Sequence, residues 1–367
     1  MSPLPHPVTA GKGLAEAAPV DAMIVLMPDR VGFIPSQETA SYLIERYQLG
    51  SGSGQLSSVA RGAMGRIWRL SAASGTYAVK EMFWGADESA VKREVAFRDA
   101  AAGVGVVSPA NLRTDDASYV CVLPPECGGA PVRMFSWVDG RTISPDDPHV
   151  PQWVGRTLAL LHSLRHPCDG VAPDPWYDQV PEPARWYDLL AQGEAAKQPW
   201  AHTFAESTPL LCSLACQVIP ADPAGAVFSH MDLQPQNVLI DRSGNYILLD
   251  WEDAGPDLPD RGLASLLCCW GVHDGVVDAD RVRQIVSAYR RAGGYASLTG
   301  LESFSRNLAG FINYVAAQAA FSLETEQAAE MREHAAREVV SSLANPARME
   351  SFRELLDVVG TVGAIRD

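Results

Sequence analysis

Residues 226–250 are a short strand-rich island in a half of the chain whose periodicity is otherwise helical. It contains Phe228-Ser229-His230-Met231-Asp232-Leu233-Gln234-Pro235-Gln236-Asn237. Two apolar runs, 238–240 and 246–249, flank Ser243-Gly244-Asn245, so they read as a hairpin. The hairpin returns Asp250 to the polar loop that precedes it. Three groups then converge. Asp232 can accept a proton from an attacking hydroxyl, Asn237 offers a neutral oxygen, and Asp250 offers a carboxylate. A neutral oxygen and a carboxylate suit Mg²⁺, which takes few protein ligands and completes its shell with water and substrate phosphates. Phosphoryl transfer depends mostly on positioning and charge neutralisation, so this small set is sufficient.

The rest of the chain divides in two. Before the island, a helix is expected over 37–48 behind a Ser36 cap, then strands from Leu56 to Met82, and an amphipathic helix over 87–102 capped by Asp87. Further strands are expected near 106–113, 118–123 and 132–138. After Gly140 the pattern turns helical, with segments near 151–165, 184–195, 208–219, 260–272, 279–292, 300–323, 325–343 and 346–359. At 367 residues the chain is long enough for two such units. The expectation is an α+β, bilobal plan: a small β-rich N-lobe over 36–138, and a larger, mainly helical C-lobe over 139–367 with the catalytic loop and acceptor pocket. Residues 1–35 are expected to be a flexible extension, and the hinge falls near 132–138.

Net charge is −15, which argues against nucleic acid or an anionic membrane surface as partner. The acid is concentrated: residues 139–263 hold seven basic and eighteen acidic side chains. The seven cysteines show no Cys-x-x-Cys spacing and read as reduced core thiols of a cytoplasmic protein. The N-terminal stretch is not expected to act as a signal peptide, since it lacks a basic start followed by an apolar run, and no apolar run reaches spanning length.

The loop and hairpin, His230-Met231-Asp232 through Asn237 and then Ile247-Leu248-Leu249-Asp250-Trp251-Glu252, resemble the aminoglycoside phosphotransferase family, a branch of the protein-kinase-like fold. The family pattern is roughly H-G-D-[LI]-x-x-x-N followed by [IL]-D-[WF]-[EG]. The resemblance covers about 38–345. It implies Asp232 as catalytic base, Asn237 and Asp250 as magnesium ligands, and His230 as loop support. Ala78-Val79-Lys80 resembles the nucleotide lysine, and kinase-like folds pair that lysine with a Glu on the next helix, here Glu94. Gly62 and Gly65, in a turn before Lys80, would let backbone N–H groups approach phosphates. Met134, Ser136 and Trp137 fall where a hinge binds adenine. ATP (or GTP) and Mg²⁺ are therefore the implied cofactors. One departure stands out: Arg261-Gly262-Leu263-Ala264 puts Gly262 where the family usually has an acid, with Asp260 a substitute two residues earlier.

A protein kinase fits less well. Gln234 stands where a Lys is usual, Trp251-Glu252 follows the metal aspartate, and there is little room for an activation loop. The expected activity is transfer of a γ-phosphate to a hydroxyl of a small cationic acceptor, such as an aminoglycoside-type antibiotic. The alternatives are a metabolite kinase of homoserine, choline or sugar type, and a catalytically silent ligand-binding relative. Glu252, Asp253, Asp139 and Trp186 are the candidate acceptor contacts, and the protein is expected to act as a monomer or homodimer.

Overall fold

The computed structural model describes residues 32–61, 65–83, 85–144, 147–168, 170–327, 329–344 and 349–363. Helix α1 (Gln37–Arg46) starts where Ser36 accepts a hydrogen bond from the Thr39 N–H, and it buries Ala40, Leu43 and Ile44. Its core face covers an antiparallel sheet. Strands β1 (Gln55–Arg61), β2 (Gly65–Ala72) and β3 (Gly75–Met82) follow as a meander, and β4 (Cys121–Val122) and β5 (Pro131–Ser136) complete the order β1-β2-β3-β5-β4. Trp68, Leu70, Val79, Val132 and Met134 meet Leu43 beneath α1 as a compact apolar cluster. Gly65 is required at the β2–β3 pairing, because a Cβ there would drive into the backbone carbonyl of Glu81.

Two expectations change here. The segment 106–113 contributes only an isolated bridge, Asn111 to Phe135, and 118–123 narrows to the two residues of β4. Their polar groups find other partners: Leu112 donates to the Met134 carbonyl, Ala110 accepts from the Ser136 N–H, and Glu88 of the next helix accepts from the N–H groups of Tyr119 and Val120. The expected loose extension also ends earlier than residue 35. Phe33 is buried, stacks on Trp68 at 4.8 Å, and donates its N–H to Glu81 Oε1 at 3.0 Å. Residues 1–31 lie outside the described residues.

Helix α2 (Glu88–Gly103), capped by Asp87, ties the two lobes together. Its Phe97 belongs to the core of the second lobe, edge-on to Phe228 at 5.3 Å and to Trp251 at 5.6 Å. Beyond β5 the chain enters β6 (Gly140–Thr142), α3 (Val150–Ser163), the single turn α4 (Pro175–Asp178), α5 (Pro183–Ala195) and α6 (Ala201–Ala215). Helix α6 begins seven residues before the expected 208 and carries Pro209 within it. Proline suits a first turn, which is why the sequence pattern points to a later start.

The island then supplies β7 (Val227–Ser229), β8 (Val238–Asp241), β9 (Tyr246–Leu248) and β10 (Gly255–Asp257). Strand β8 pairs with β6 and β9, while β10 pairs with β7. Helix α7 (Pro259–Gly271), the small hairpin β11 (Val272–His273) and β12 (Val276–Val277), and helices α8 (Ala279–Arg291), α9 (Ser305–Leu323), α10 (Ala329–Ala344) and α11 (Met349–Gly363) complete the lobe. Helices α3 and α8 pack closely because Gly155 faces the carbonyl of Ile285 with no Cβ between them. This is the bilobal, kinase-like α+β plan expected. No helix among the described residues is long and apolar enough to cross a membrane.

Candidate active site

The polar loop between β7 and β8 is held by one histidine. His230 Nδ1 accepts from the Asp232 N–H at 3.2 Å, and its Nε2 pairs with the Leu249 carbonyl at 2.9 Å. Those contacts require the neutral tautomer with the proton on Nε2. Burial holds the ring neutral, with its pKa depressed to about 4. One neutral ring thus locks the loop carrying Asp232 to the strand end that presents Asp250. Both loops are tightly bent: Met231 has φ 62° and Asp250 has φ 55°, left-handed conformations that few non-glycine residues adopt. Met231 occupies the position where the family pattern has glycine.

Asp232 and Asn237 meet directly. Asn237 Nδ2 donates to Asp232 Oδ2 at 2.5 Å and to the Asp232 carbonyl at 3.0 Å. With both amide donors committed to the loop, the side chain has only its Oδ1 left to offer a cation. Burial, reinforced by the Asp250 charge, pushes the Asp232 carboxyl up to about 6, against the pull of Arg306 and the hydrogen bonds from Asn237 and Gln234. A half-buried carboxylate poised near neutrality can take a proton from a hydroxyl. Arg306 reaches from α9 to Asp257 Oδ2 at 2.8 Å and lines a small cavity with His230, Met231 and Leu233. Asp260, a sequence candidate for the missing acid at 262, instead accepts from Ser303 Oγ at 2.8 Å. It is Asp257 that approaches Gly262, together with His162.

Lys80 comes from the middle of the N-lobe sheet, where β3 pairs it with Arg133 of β5. Its Nζ lies 2.9 Å from Asp250 Oδ1 and 2.8 Å from Glu252 Oε2. Burial opposes the lysine charge, but these two carboxylates outweigh it and keep the ammonium protonated. Burial likewise raises Asp250, yet Lys80 holds it below the usual carboxylate range. Desolvation dominates at Glu252 and pushes it up.

The expected Lys80–Glu94 pair is absent. Glu94 gives both oxygens to Arg133, at 2.7 Å each, and Arg133 also donates to Asn111 at 2.9 Å. The guanidinium forks onto a carboxylate in a way that an ammonium cannot match. Glu252, two residues past Asp250, takes the place beside Lys80. The Trp-Glu that follows the aspartate was the signal for this, and the pairing itself was not readable from it.

Other sequence candidates are placed as follows. Trp186 does not reach a substrate pocket: it is fully buried in the C-lobe core against Phe204, because α5 turns its apolar stripe inward. Asp139 sits at the surface, pairing with Arg242 at 3.1 Å and accepting from Trp137 Nε1 at 2.9 Å. Asp253 is buried next to Glu252. In the hinge strand, the Met134 carbonyl already accepts from Leu112, and the Ser136 N–H donates to Ala110. Gly65 opens β2, and Gly62 lies outside the described residues. Among the described residues, no group of three or more His, Cys, Asp or Glu could hold a metal. The oxygens on offer, Asn237 Oδ1 and Asp250, are hard donors. They fit a cation that completes its shell with phosphates.

A loop aspartate braced by an asparagine, a hairpin aspartate and a sheet lysine, set at the joint of two lobes, define a kinase-like phosphotransferase. The chain belongs to the phosphotransferase enzyme family, whose model matches residues 55–301, and it acts on hydroxyl groups. It resembles the structure of a spectinomycin phosphotransferase in complex with ADP and spectinomycin. There the identity is 12%, the TM-score 0.62, and the match covers 90% of this chain and 99% of that one. A microcompartment-associated aminopropanol kinase matches at 15% identity and TM-score 0.57, covering 88% and 98%. An amicoumacin kinase in complex with AMP-PNP and Ca²⁺ matches at 16% and 0.56, covering 85% and 94%. At these identities the likeness is one of fold. Among curated protein sequences there is no match.

Proposed function

We propose that this phosphotransferase moves the γ-phosphoryl group of ATP, with GTP as the alternative donor, to a hydroxyl of a small cationic acceptor. The observation that carries this reading is the grouping of Asp232 with Asn237 on one loop and of Asp250 with Lys80 across the lobe joint. Asp232 takes the proton of the attacking hydroxyl. Asn237 and Asp250 hold Mg²⁺, which would neutralise charge on the transferring phosphates. Lys80 leaves its carboxylates to bind those phosphates, and the backbone at Gly65 lies close to them. Residues 134–137 line the adenine, with the backbone beyond Ser136 as its polar partner. His230 keeps the loop in register. The proposed lobe boundary is 138–139, between β5 and β6.

The cationic acceptor follows from charge. The stretch 139–263 carries most of the protein's excess acid, and Glu252 and Asp253 flank the metal carboxylate. The named acceptors of two fold relatives, spectinomycin and aminopropanol, span both an antibiotic and an amino alcohol. An aminoglycoside-type antibiotic or a metabolite amino alcohol is therefore the acceptor class proposed. The setting is cytoplasmic, and the active unit is a monomer or homodimer. The test is a panel of aminoglycosides, amino alcohols and uncharged sugars with labelled ATP and Mg²⁺, read by mass spectrometry. Phosphorylation confined to amine-bearing acceptors is expected. Phosphorylation of uncharged sugars alone would remove the cationic class, and no product from any acceptor would favour the silent-relative reading.

A further inference from the structure

We infer that Arg69 is a specificity-determining residue for the donor: its guanidinium plane is a platform on which a purine base stacks. This rests on the proposed nucleotide role of the cleft and names a residue that holds the base there.

Strand alternation fixes the side on which Arg69 lies. Trp68, Leu70, Val79, Val132 and Met134 face α1 in the N-lobe core. Their neighbours Arg69, Ala78, Lys80, Arg133 and Phe135 therefore lie on the opposite face of the sheet. Lys80 shows what that face looks onto, since its Nζ meets Asp250 across the lobe joint. Register sets Arg69 beside Ala78, and Ala78 beside Phe135. Ala78 is two residues from Lys80, about 7 Å along β3. A nucleotide whose phosphates reach Lys80 extends its base along this face towards the hinge, next to Arg69.

The Arg69 side chain runs sideways across the sheet. Its Cζ stands 5.0 Å from the centre of the Trp137 ring, within cation–π reach. Trp137 follows β5, which lies two strands from β2, so about 10 Å of sheet separates the two backbones. The stacked pair thus passes beneath β3, where the small side chain of Ala78 leaves room for it. Trp137 is itself held: its Nε1 donates to Asp139 Oδ1 at 2.9 Å, and Asp139 pairs at 3.1 Å with Arg242 in the β8–β9 turn. Arg69 is exposed and has no ion pair among the described residues. A planar cation with one face on an indole and the other open to the cleft suits a flat, electron-rich ring. A purine covers more of that plane than a pyrimidine does, so Arg69 favours ATP and GTP over pyrimidine donors.

The test is calorimetric titration of the full chain with ADP, adenosine, CDP and magnesium pyrophosphate. Arg69→Ala should weaken ADP and adenosine by the same factor, about tenfold. It should narrow the preference for ADP over CDP and leave pyrophosphate unchanged. Arg69→Lys keeps the charge without the plane and should bind ADP as weakly as the alanine variant. It also carries the test should the alanine variant fail to fold. Unchanged or tighter ADP binding in Arg69→Ala would overturn the inference, as would a matching loss for pyrophosphate or recovery in Arg69→Lys. If wild type binds no ADP, the proposed function falls and this inference with it. ADP binding that is indifferent to Arg69 overturns this inference alone.

Discussion

Arg133 grips both carboxylate oxygens of Glu94 at 2.7 Å inside the N-lobe. Both partners are nearly inaccessible, Arg133 at 1% and Glu94 at 5%. The pair heads a chain of alternating charge that runs through Glu252 and Lys80 to Asp250. Removing one member of a buried pair strands the other. Arg133→Met should therefore cost about 3–5 kcal/mol, and Arg133→Met with Glu94→Met should recover most of it. Urea unfolding of the two single variants and the double variant measures both. Simple additivity would show that the pair is not coupled.

Asp232 links stability to activity. Its carboxyl is raised to about 6 in the folded state, against roughly 3.9 in an unfolded chain. An acid so raised binds its proton more tightly when folded, so it weakens the fold as pH rises from about 4 through 6, fully above that. Asp232→Asn should thus melt higher than wild type at pH 8 without nucleotide, with the gap closing near pH 4. Transfer should fall by about 10²–10⁴ in the same variant, with ADP still bound. In wild type, kcat/KM should drop about tenfold for each pH unit below 6. An acid limb centred near pH 4 would contradict the raised carboxyl.

Asp250 is proposed to exchange Lys80 for a cation when nucleotide arrives. Added Mg²⁺ should then raise the melting temperature with ADP beyond the value with ADP and EDTA. Asp250→Asn should erase that increment, and an increment that survives would move the metal to other ligands.

Trp186 offers a test of burial against function. Trp186→Ala should cost about 3–5 kcal/mol through the cavity it leaves. Trp186→Phe should leave the KM for any acceptor found unchanged, since the ring lies within the core. A large rise in acceptor KM for the Phe variant would return Trp186 to the pocket wall.

Gly65 has no room for a side chain. Gly65→Ala should destabilise by about 1–3 kcal/mol because a methyl would meet the Glu81 carbonyl at the β2–β3 pairing. Thermal melting reads this directly, and an unchanged melt would mean that the strands separate there without cost.

Local spacing carried much of this molecule. The loop from His230 to Asn237, the turn at Ser243-Gly244-Asn245 and the strand ending in Asp250 form a contiguous unit, and the hydrogen bonds joining His230, Asp232, Asn237 and Leu249 to one another span at most 19 residues. Ser36 and Asp87 cap their helices as their side chains dictate, since an N-cap bond spans only two or three residues. The sequence by itself therefore determined the loop, the hairpin and the two-lobe plan, and it singled out Asp232, Asn237, Asp250 and Lys80 as the candidates that the fold then brings to the lobe joint. Tertiary structure alone decided which charges meet. Glu94 and Arg133 are 39 residues apart, and Lys80 and Asp250 are 170 apart. A lysine and an arginine on neighbouring strands compete for the same buried carboxylates. The outcome depends on which fork reaches which oxygen after the lobes close, and no local pattern encodes that. The same holds for Trp186, whose helix could present an aromatic to a pocket or to a core until α6 packed against it.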